Sequence, residues 1–175
     1  MGRLTQQLGE KPIGRVIVPW YDDALWAEAR DFWEPAGIWR VKRSELAEDI
    51  TQPHKTVLYV LAHSGRGVSF IASNDGETLS AEQLVRFLVD GGLPSQILAV
   101  KIWACFSGVN GFAQEVKAKF LAEQKGYNPV VVGYNEVTGG PKDVANDPHK
   151  HVFQLGPDNT RGPVIGRASA HRNIF

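Results

Sequence analysis

Short apolar runs alternate along the chain with segments whose apolar residues recur at helical spacing. Residues 56–63 (TVLYVLAH), 97–104 (ILAVKIWA) and 128–135 (NPVVVGYN) are nearly continuous apolar runs rich in β-branched residues. Runs of this kind are typical of strands that are buried on both faces of a parallel sheet. They therefore predict the three core strands of the protein.

Weaker patterns predict the flanking elements. Helices are expected over residues 22–33, capped by Asp22 or Asp23, from Ser80 to Gly91, and over residues 110–125, capped by Asn110. Ser80 and Gln83 form a capping box, in which each side chain bonds the other residue's backbone N–H. Further strands are expected at residues 15–20, 38–43, 68–73 and 151–155, and a loop at residues 138–150.

Strands separated by helices at this spacing predict an α/β fold, with a mostly parallel central sheet flanked by helices. The length of 175 residues is that of one ordinary domain. We expect residues 1–175 to form that single domain, with a core over about residues 14–156 and a weakly patterned C-terminal tail at 157–175.

Charge and cysteine content narrow the range of partners. Nineteen basic and nineteen acidic residues balance to zero net charge, so neither nucleic acid nor an anionic membrane is an expected partner. The single cysteine gives no sign of an oxidising compartment, and the N-terminal residues lack the apolar core of a secretory signal. A cytoplasmic location is expected, with export by a route independent of a signal peptide left open.

Reactive side chains follow two of the three core strands. His63 ends the run at 56–63, and Cys105 comes directly after the run at 97–104. Because parallel strands leave a sheet at the same edge, and neighbouring strands are about 4.8 Å apart, the two residues are expected to lie close together. A histidine beside a cysteine can serve as the base that generates a nucleophilic thiolate.

Each residue alone is more simply explained by packing. A lone cysteine at the end of an apolar strand is most often a small buried hydrophobe, and a lone histidine is more often structural than catalytic. The two residues follow two buried strands at corresponding positions, and each has a Ser-Gly pair close by. This combination favours a catalytic role for His63 and Cys105. Histidines 149 and 151 alternate along a strand but lack cysteine or acidic partners, so no metal site is predicted.

The segments LYVLAHSG (58–65) and VKIWACFSG (100–108) resemble the caspase-like cysteine peptidases of clan CD. This family includes caspases, metacaspases, legumains, gingipains, separases, clostripain and the self-cleaving protease domains of bacterial toxins. The similarity extends over residues 56–139 and is closest to the bacterial effector and toxin members. It implies a caspase-like three-layer sandwich and hydrolysis of peptide bonds through a thioester acyl-enzyme.

The resemblance also implies roles for individual residues. Cys105 would be the nucleophile and His63 its acid and base, and the backbone N–H groups of Cys105, Ser64 and Gly65 would bind the oxyanion. The family usually has glycine directly after the histidine, whereas this chain has Ser64 and then Gly65. Candidate substrate-binding residues are Asp75, Glu136 and Arg66.

The expected substrate is a protein or peptide, and the chemistry requires no cofactor. Many relatives need calcium or a small-molecule activator such as inositol phosphate, and the sequence indicates neither an activator nor an oligomeric state. Two other functions remain open: a catalytically inactive caspase-like module that binds or regulates proteins, and an acyltransferase or thiol hydrolase that uses the same two residues.

Overall fold

A computed structural model describes residues 11–123, 125–139 and 150–175. The strands, in chain order, are β1 (Ile13–Ile17), β2 (Ile38–Arg40), β3 (Thr56–Leu61), β4 (Ile71–Ala72), β5 (Thr78–Leu79), β6 (Ala99–Trp103), β7 (Val130–Tyr134), β8 (Val137–Thr138), β9 (His151–Leu155), β10 (Arg161–Arg167) and β11 (Arg172–Ile174). The α-helices are α1 (Asp23–Glu28), α2 (Leu46–Asp49), α3 (Ala81–Asp90) and α4 (Phe112–Ala122).

A mostly parallel sheet of six strands forms the centre of the protein, in the order β11, β7, β6, β3, β1, β2. Neighbouring strands from β2 to β7 pair in parallel, and β11 pairs with β7 in antiparallel orientation. The mixed α/β class and the mostly parallel central sheet are therefore confirmed. The described residues also form a three-stranded sheet of β10, β9 and β8 and a pair of β4 with β5.

Both faces of the sheet are covered, because side chains along the core strands alternate between two apolar layers. Leu58 and Val60 of β3 pack into the layer that contains α3 and α4. Tyr59 and Leu61 point to the opposite layer, which contains α1 and Trp33. Helices on both faces are compatible with a three-layer sandwich, and they leave the strand ends free to form a site.

Two predicted helices begin at their predicted caps, whereas the helix predicted over residues 110–125 spans Phe112–Ala122 and has Gly111, not Asn110, at its N-cap position. Both hydrogen bonds of the capping box at Ser80 and Gln83 are present before α3. Asp22 caps α1, but the predicted helix 22–33 is α-helical only to Glu28 and continues as a π-helical segment, Ala29–Trp33. Short 3-10 turns occupy Glu34–Ala36, Arg43–Glu45, Pro53–Lys55, Pro157–Asn159 and Ala168–Ala170.

The C-terminal residues belong to the fold rather than to a tail. The predicted core boundary at residue 156 is wrong, because β11 pairs along β7 and completes one edge of the central sheet. Phe175 and Val131 exchange two further backbone hydrogen bonds. The strand predicted at 68–73 is limited to β4, and most of the loop predicted at 138–150, with His149, lies outside the described residues.

An unusual lysine interrupts the apolar face of β6. Lys101 lies among aromatic rings, with Nζ 3.4 Å from the Tyr59 hydroxyl oxygen and 5.1 Å from the centre of the Tyr59 ring. Nζ of Lys150 lies 4.7 Å from the centre of the same ring. Burial, together with the nearby positive charges of Arg172 and Lys150, lowers the pKa of Lys101 to about 7. Protonated Lys101 therefore destabilises the folded state.

Replacing Lys101 with methionine is expected to stabilise the protein by about 2 kcal/mol at pH 6, because it removes a buried charge and keeps the aliphatic volume. Unfolded lysine binds its proton up to about pH 10.5, whereas folded Lys101 releases it near pH 7. The free energy of unfolding of the wild type should therefore rise as the pH increases from about 7 to about 10.5. The gain in stability from Lys101→Met should shrink over the same range. Urea unfolding across this pH range measures the effect.

The matched control is Lys42→Met, since Lys42 is exposed and paired with Glu45 on the surface. It should change stability by less than about 0.5 kcal/mol, with little dependence on pH between 6 and 9. If Lys101→Met behaves like this control, Lys101 is not a destabilising buried charge.

Candidate active site

The predicted pair of reactive residues follows two neighbouring strands at matched positions. Leu61 at the end of β3 is paired with Trp103 at the end of β6. His63 and Cys105 each come two residues later, and Ala62 N donates to Trp103 O at 3.3 Å. Both residues therefore leave the same edge of the sheet from adjacent strands. His63 is exposed and Cys105 is partly exposed, so both side chains are accessible to solvent.

The loop after Cys105 is held against β7 by the two residues that follow Phe106. The fully buried Ser107 hydroxyl donates to Ile102 O at 2.9 Å and accepts from Tyr134 N at 3.0 Å. Gly108 N donates to Tyr134 O at 2.8 Å. A Cβ atom at Gly108 would lie 2.7 Å from the carbonyl carbon of Gly133, so only glycine fits there. The Ser-Gly pair of the sequence motif thus anchors the loop that carries Cys105.

The sulfur of Cys105 faces a hydroxyl group. Sγ lies 3.8 Å from Oγ1 of Thr138 in β8, and the sulfur forms no hydrogen bond with the imidazole of His63. The next residue, Phe106, is buried with φ of 57°, a left-handed conformation that non-glycine residues rarely adopt. Its N–H donates to Glu136 O at 3.2 Å. Phe106 belongs to a small buried cluster with Val137 and Phe153, and the partly buried Cys105 packs against that cluster.

A second loop, residues 64–70, connects His63 to β4 and contacts the cysteine loop. His63 and Ala72 exchange two backbone hydrogen bonds of 2.9 Å, which fix the histidine backbone. The Ser64 hydroxyl donates to Phe70 O at 3.0 Å. The Asn110 amide donates to the carbonyl oxygens of Gly65 and Val68, and its Oδ1 accepts from Phe112 N at the start of α4. Asn110 thereby joins the two loops.

Three backbone N–H groups at these loops are free to bind an oxyanion. Within the described parts of the chain, the N–H groups of Ser64, Gly65 and Cys105 donate to no acceptor, although Phe106, Ser107 and Gly108 all donate. Uncommitted N–H groups beside a nucleophile are what an oxyanion site requires. These three residues are the ones that the sequence predicted for this purpose.

Asp22 is a residue of the site that the sequence indicated only as a helix cap. It follows β1, the neighbour of β3 on the side away from β6, and is only 2% exposed. Its carboxylate accepts from Leu25 N at 3.0 Å, from Asn74 N at 2.7 Å and from the Asn74 amide at 2.9 Å. Asn74 comes two residues after Ala72, the backbone partner of His63.

This environment keeps Asp22 ionised beside the histidine. Burial alone would raise the pKa of Asp22, but the hydrogen bonds from Leu25 and Asn74 and the nearby charge of His63 outweigh burial and lower the pKa below its usual value. In the sequence, Asp22 could be recognised only as a possible helix cap shortly after the strand predicted at residues 15–20. Its contact with Asn74 spans 52 positions and has no local signature.

The three predicted substrate-binding residues occupy different sides of the site. Asp75 is exposed in the turn between β4 and β5, next to Asn74. Glu136 lies between β7 and β8, and its carbonyl oxygen accepts from Phe106. Arg66 is exposed in loop 64–70, and its guanidinium carbon lies 5.3 Å from the centre of the Phe106 ring. Arg66 and Glu136 therefore contact Phe106, the residue after Cys105. Asp75 instead adjoins Asn74, which forms hydrogen bonds with Asp22.

Other kinds of site find no support among the described residues. They contain no group of three or more His, Cys, Asp or Glu side chains that could hold a metal ion. Within the same residues, every helix is too short or too polar to cross a membrane.

Neither a protein-family model nor a curated protein matches the sequence. The function proposed below therefore rests on the residues themselves.

Proposed function

We propose that this protein is a cysteine endopeptidase that uses Cys105 and His63 to hydrolyse peptide bonds. The observation that carries the proposal is the placement of both residues two positions beyond the paired ends of β3 and β6, beside three unused N–H groups. The mixed α/β fold and the two strand exits also support the caspase-like resemblance.

The proposed reaction begins when His63 accepts the thiol proton of Cys105. The thiolate attacks the peptide carbonyl carbon, and the N–H groups of Cys105, Ser64 and Gly65 stabilise the negative oxygen. The C–N bond then breaks, and the amine leaves with the proton from His63. Finally His63 takes a proton from water and the hydroxide attacks the thioester. The C–S bond breaks, the proton on His63 returns to the sulfur of Cys105, and the product leaves as a carboxylic acid.

The resting geometry requires one adjustment. Because Sγ faces Thr138 and not the imidazole, the thiol of Cys105 must rotate toward His63 before proton transfer. A hydrogen bond between a nucleophile and its base is often absent in the free enzyme and forms when substrate binds. Asp22 would hold the segment that bonds the His63 backbone, through its hydrogen bonds with Asn74.

Alkylation of Cys105 tests whether the two residues act together. Iodoacetamide or a peptidyl acyloxymethyl ketone should label the native protein rapidly, and His63→Ala should slow labelling by roughly 100-fold, because the base is lost. His54→Ala is the matched control, since His54 lies in the 3-10 turn before β3 at the opposite end of that strand. Labelling is followed by intact-protein mass spectrometry.

Digestion of a peptide library distinguishes the possible functions. The proposal expects cleavage that disappears in Cys105→Ala while the circular dichroism spectrum is unchanged. Slow labelling that is insensitive to His63→Ala, with no cleavage, would support a protein-binding module instead. Rapid His63-dependent adduct formation with activated esters, but no peptide cleavage, would support an acyltransferase or thiol hydrolase.

A further inference from the structure

A cluster of three cations lies on the face of the central sheet that packs against α1. Lys101 on β6 is paired in register with Tyr59 on β3. Arg172 on β11 is likewise paired with Tyr134 on β7. Because paired residues of neighbouring strands point to the same face, both cations share the face with the two tyrosine rings. Lys150, which directly precedes β9, is the third cation, with Nζ 4.7 Å from the centre of the Tyr59 ring.

Acidic partners for this cluster are absent from the described parts of the chain. None of the three cations forms a salt bridge there. The charges that act on Lys101 are those of the other two cations, and the charge that acts on Lys150 is that of Lys11. Glu28 of α1 reaches the same layer, but its carboxylate accepts from Nε1 of Trp33 at 3.4 Å. The cluster therefore carries positive charge that the described residues do not neutralise.

The amine of Lys101 lies against a layer of aromatic rings. Its Nζ is 3.4 Å from the hydroxyl oxygen of Tyr59. Edge-to-face contacts join Tyr59 to Trp33, Trp33 to Trp103, and Trp103 to Tyr134. Apolar walls and like charges both favour an uncharged amine, which is why the pKa of Lys101 falls to about 7. An uncharged amine is a nucleophile, and Lys101 remains partly exposed, so a small solute can reach it.

We infer that Lys101 reacts reversibly with carbon dioxide to form a carbamate, which Lys150 and Arg172 stabilise. The lone pair of Nζ attacks the carbon of CO2, an N–C bond forms, and one C–O π electron pair moves onto oxygen. The nitrogen then releases a proton to solvent, which leaves a neutral N–H group and a carboxylate. No oxidant or reductant takes part. The side chain thereby changes from a cation, or a neutral amine, to an anion.

The charge of the product favours CO2 over other carbonyl electrophiles. An aldehyde would form an imine, which is neutral or cationic and leaves Lys150 and Arg172 without an anion. The two oxygens of a carbamate are suited to paired hydrogen bonds with a guanidinium. The hydroxyl of Tyr59, which accepts from protonated Lys101, is able to donate to a carbamate. The modification therefore supplies the negative charge that the cluster lacks.

Trapping of the carbamate tests the inference in the full chain. The protein is equilibrated with 13C-labelled CO2 and bicarbonate at pH 8, and triethyloxonium ions convert the labile carbamate into a stable ethyl ester. Peptide mass spectrometry should find the adduct on Lys101 and not on Lys42, an exposed lysine paired with Glu45. Lys150→Met and Arg172→Met should each lower the modified fraction by roughly threefold to tenfold, because each removes a neighbouring positive charge.

A second measurement does not depend on trapping. A ligand that binds the folded state preferentially raises the melting temperature. Dissolved CO2, at fixed pH and ionic strength, should therefore raise the melting temperature of the wild type and leave that of Lys101→Met unchanged. Arg86→Met is the control for loss of a cation, since Arg86 is exposed on α3 and paired with Glu82. It should retain both the adduct and the rise in melting temperature.

The outcomes that overturn the inference are specific. The first is the absence of an adduct on Lys101 at saturating CO2, and the second is an adduct that is equally abundant in Lys150→Met and Arg172→Met. A rise in melting temperature that acetate or phosphate produces equally, without an adduct, would indicate a non-covalent anion site and also overturns it. Cys105→Ala should form the adduct as the wild type does, so this result is independent of the proposed peptidase function.

Discussion

Replacing Asp22 with alanine is expected to destabilise the protein by about 3 kcal/mol, because the N–H groups of Leu25 and Asn74 lose a charged acceptor in a buried position. Loss of the helix cap accounts for roughly 1 kcal/mol of this cost. Asp23→Ala is the matched control, since Asp23 is exposed at the start of α1, and it should cost less than about 0.5 kcal/mol. Chemical denaturation at pH 7 measures both.

The pH dependence of this effect has a definite sign. The pKa of Asp22 is lowered in the folded state, so its contribution is fully present above the pKa of the unfolded chain and is lost as pH falls through the folded value. The stability difference between wild type and Asp22→Ala should therefore narrow below about pH 4. A difference that stays constant from pH 7 to pH 3 would contradict the assigned ionisation.

Asp22→Asn separates the charge from the hydrogen bonds. Asparagine keeps nearly the same size and one acceptor oxygen, but its NH2 group faces one of the two backbone N–H donors, so only part of the stability should remain. Because the charge of Asp22 interacts with His63, removing it should slow alkylation of Cys105 at pH 7 by about threefold to tenfold. An unchanged alkylation rate, with the fold intact, would show that Asp22 is purely structural.

The second large effect is expected at the contact between the cysteine loop and β7. In Gly108→Ala the new Cβ would lie 2.7 Å from the carbonyl carbon and oxygen of Gly133 and 2.6 Å from Oδ1 of Asn135. Backbone atoms cannot move away cheaply, so the loop must shift, at a cost of about 3 kcal/mol. The melting temperature should fall by roughly 6–12 °C.

The same substitution should affect the reactive group. A shift of the loop displaces Cys105 relative to His63, so alkylation in the native state should slow by roughly tenfold to 100-fold. Gly65→Ala is the stability control, because its Cβ would meet Val68 Cγ2 at an ordinary 3.5 Å, and its stability should stay within about 1 kcal/mol of wild type. Unaltered stability in Gly108→Ala would mean that the two glycines are not in close contact.

Local patterns were sufficient to predict much of the central sheet. The apolar runs that contain β3, β6 and β7 were visible because each strand buries both faces and is almost entirely apolar, with Lys101 as the charged exception. The capping box before α3 was visible because its two partners are three residues apart. The exits of β3 and β6 followed from these elements, since parallel strands end at one edge.

Contacts between segments that are distant in the sequence could not be predicted from local patterns. β11 has exposed residues and a polar start, and it became a strand because β7 offered unpaired backbone groups at the sheet edge. The π-helical segment after α1 likewise follows from packing, as Trp33 is buried against Tyr59 and Trp103. Periodicity within one segment cannot report such partners.

Local sequence patterns predict the parallel core, the two strand exits and the candidate residues His63 and Cys105, because apolar runs and the single residues at their ends carry this information. The contact of Asp22 with Asn74, the contact of Thr138 with the sulfur and the stacking of Arg66 on Phe106 are seen only in the folded protein. These contacts join residues 33 to 52 positions apart, so they form only when the sheet brings distant segments together.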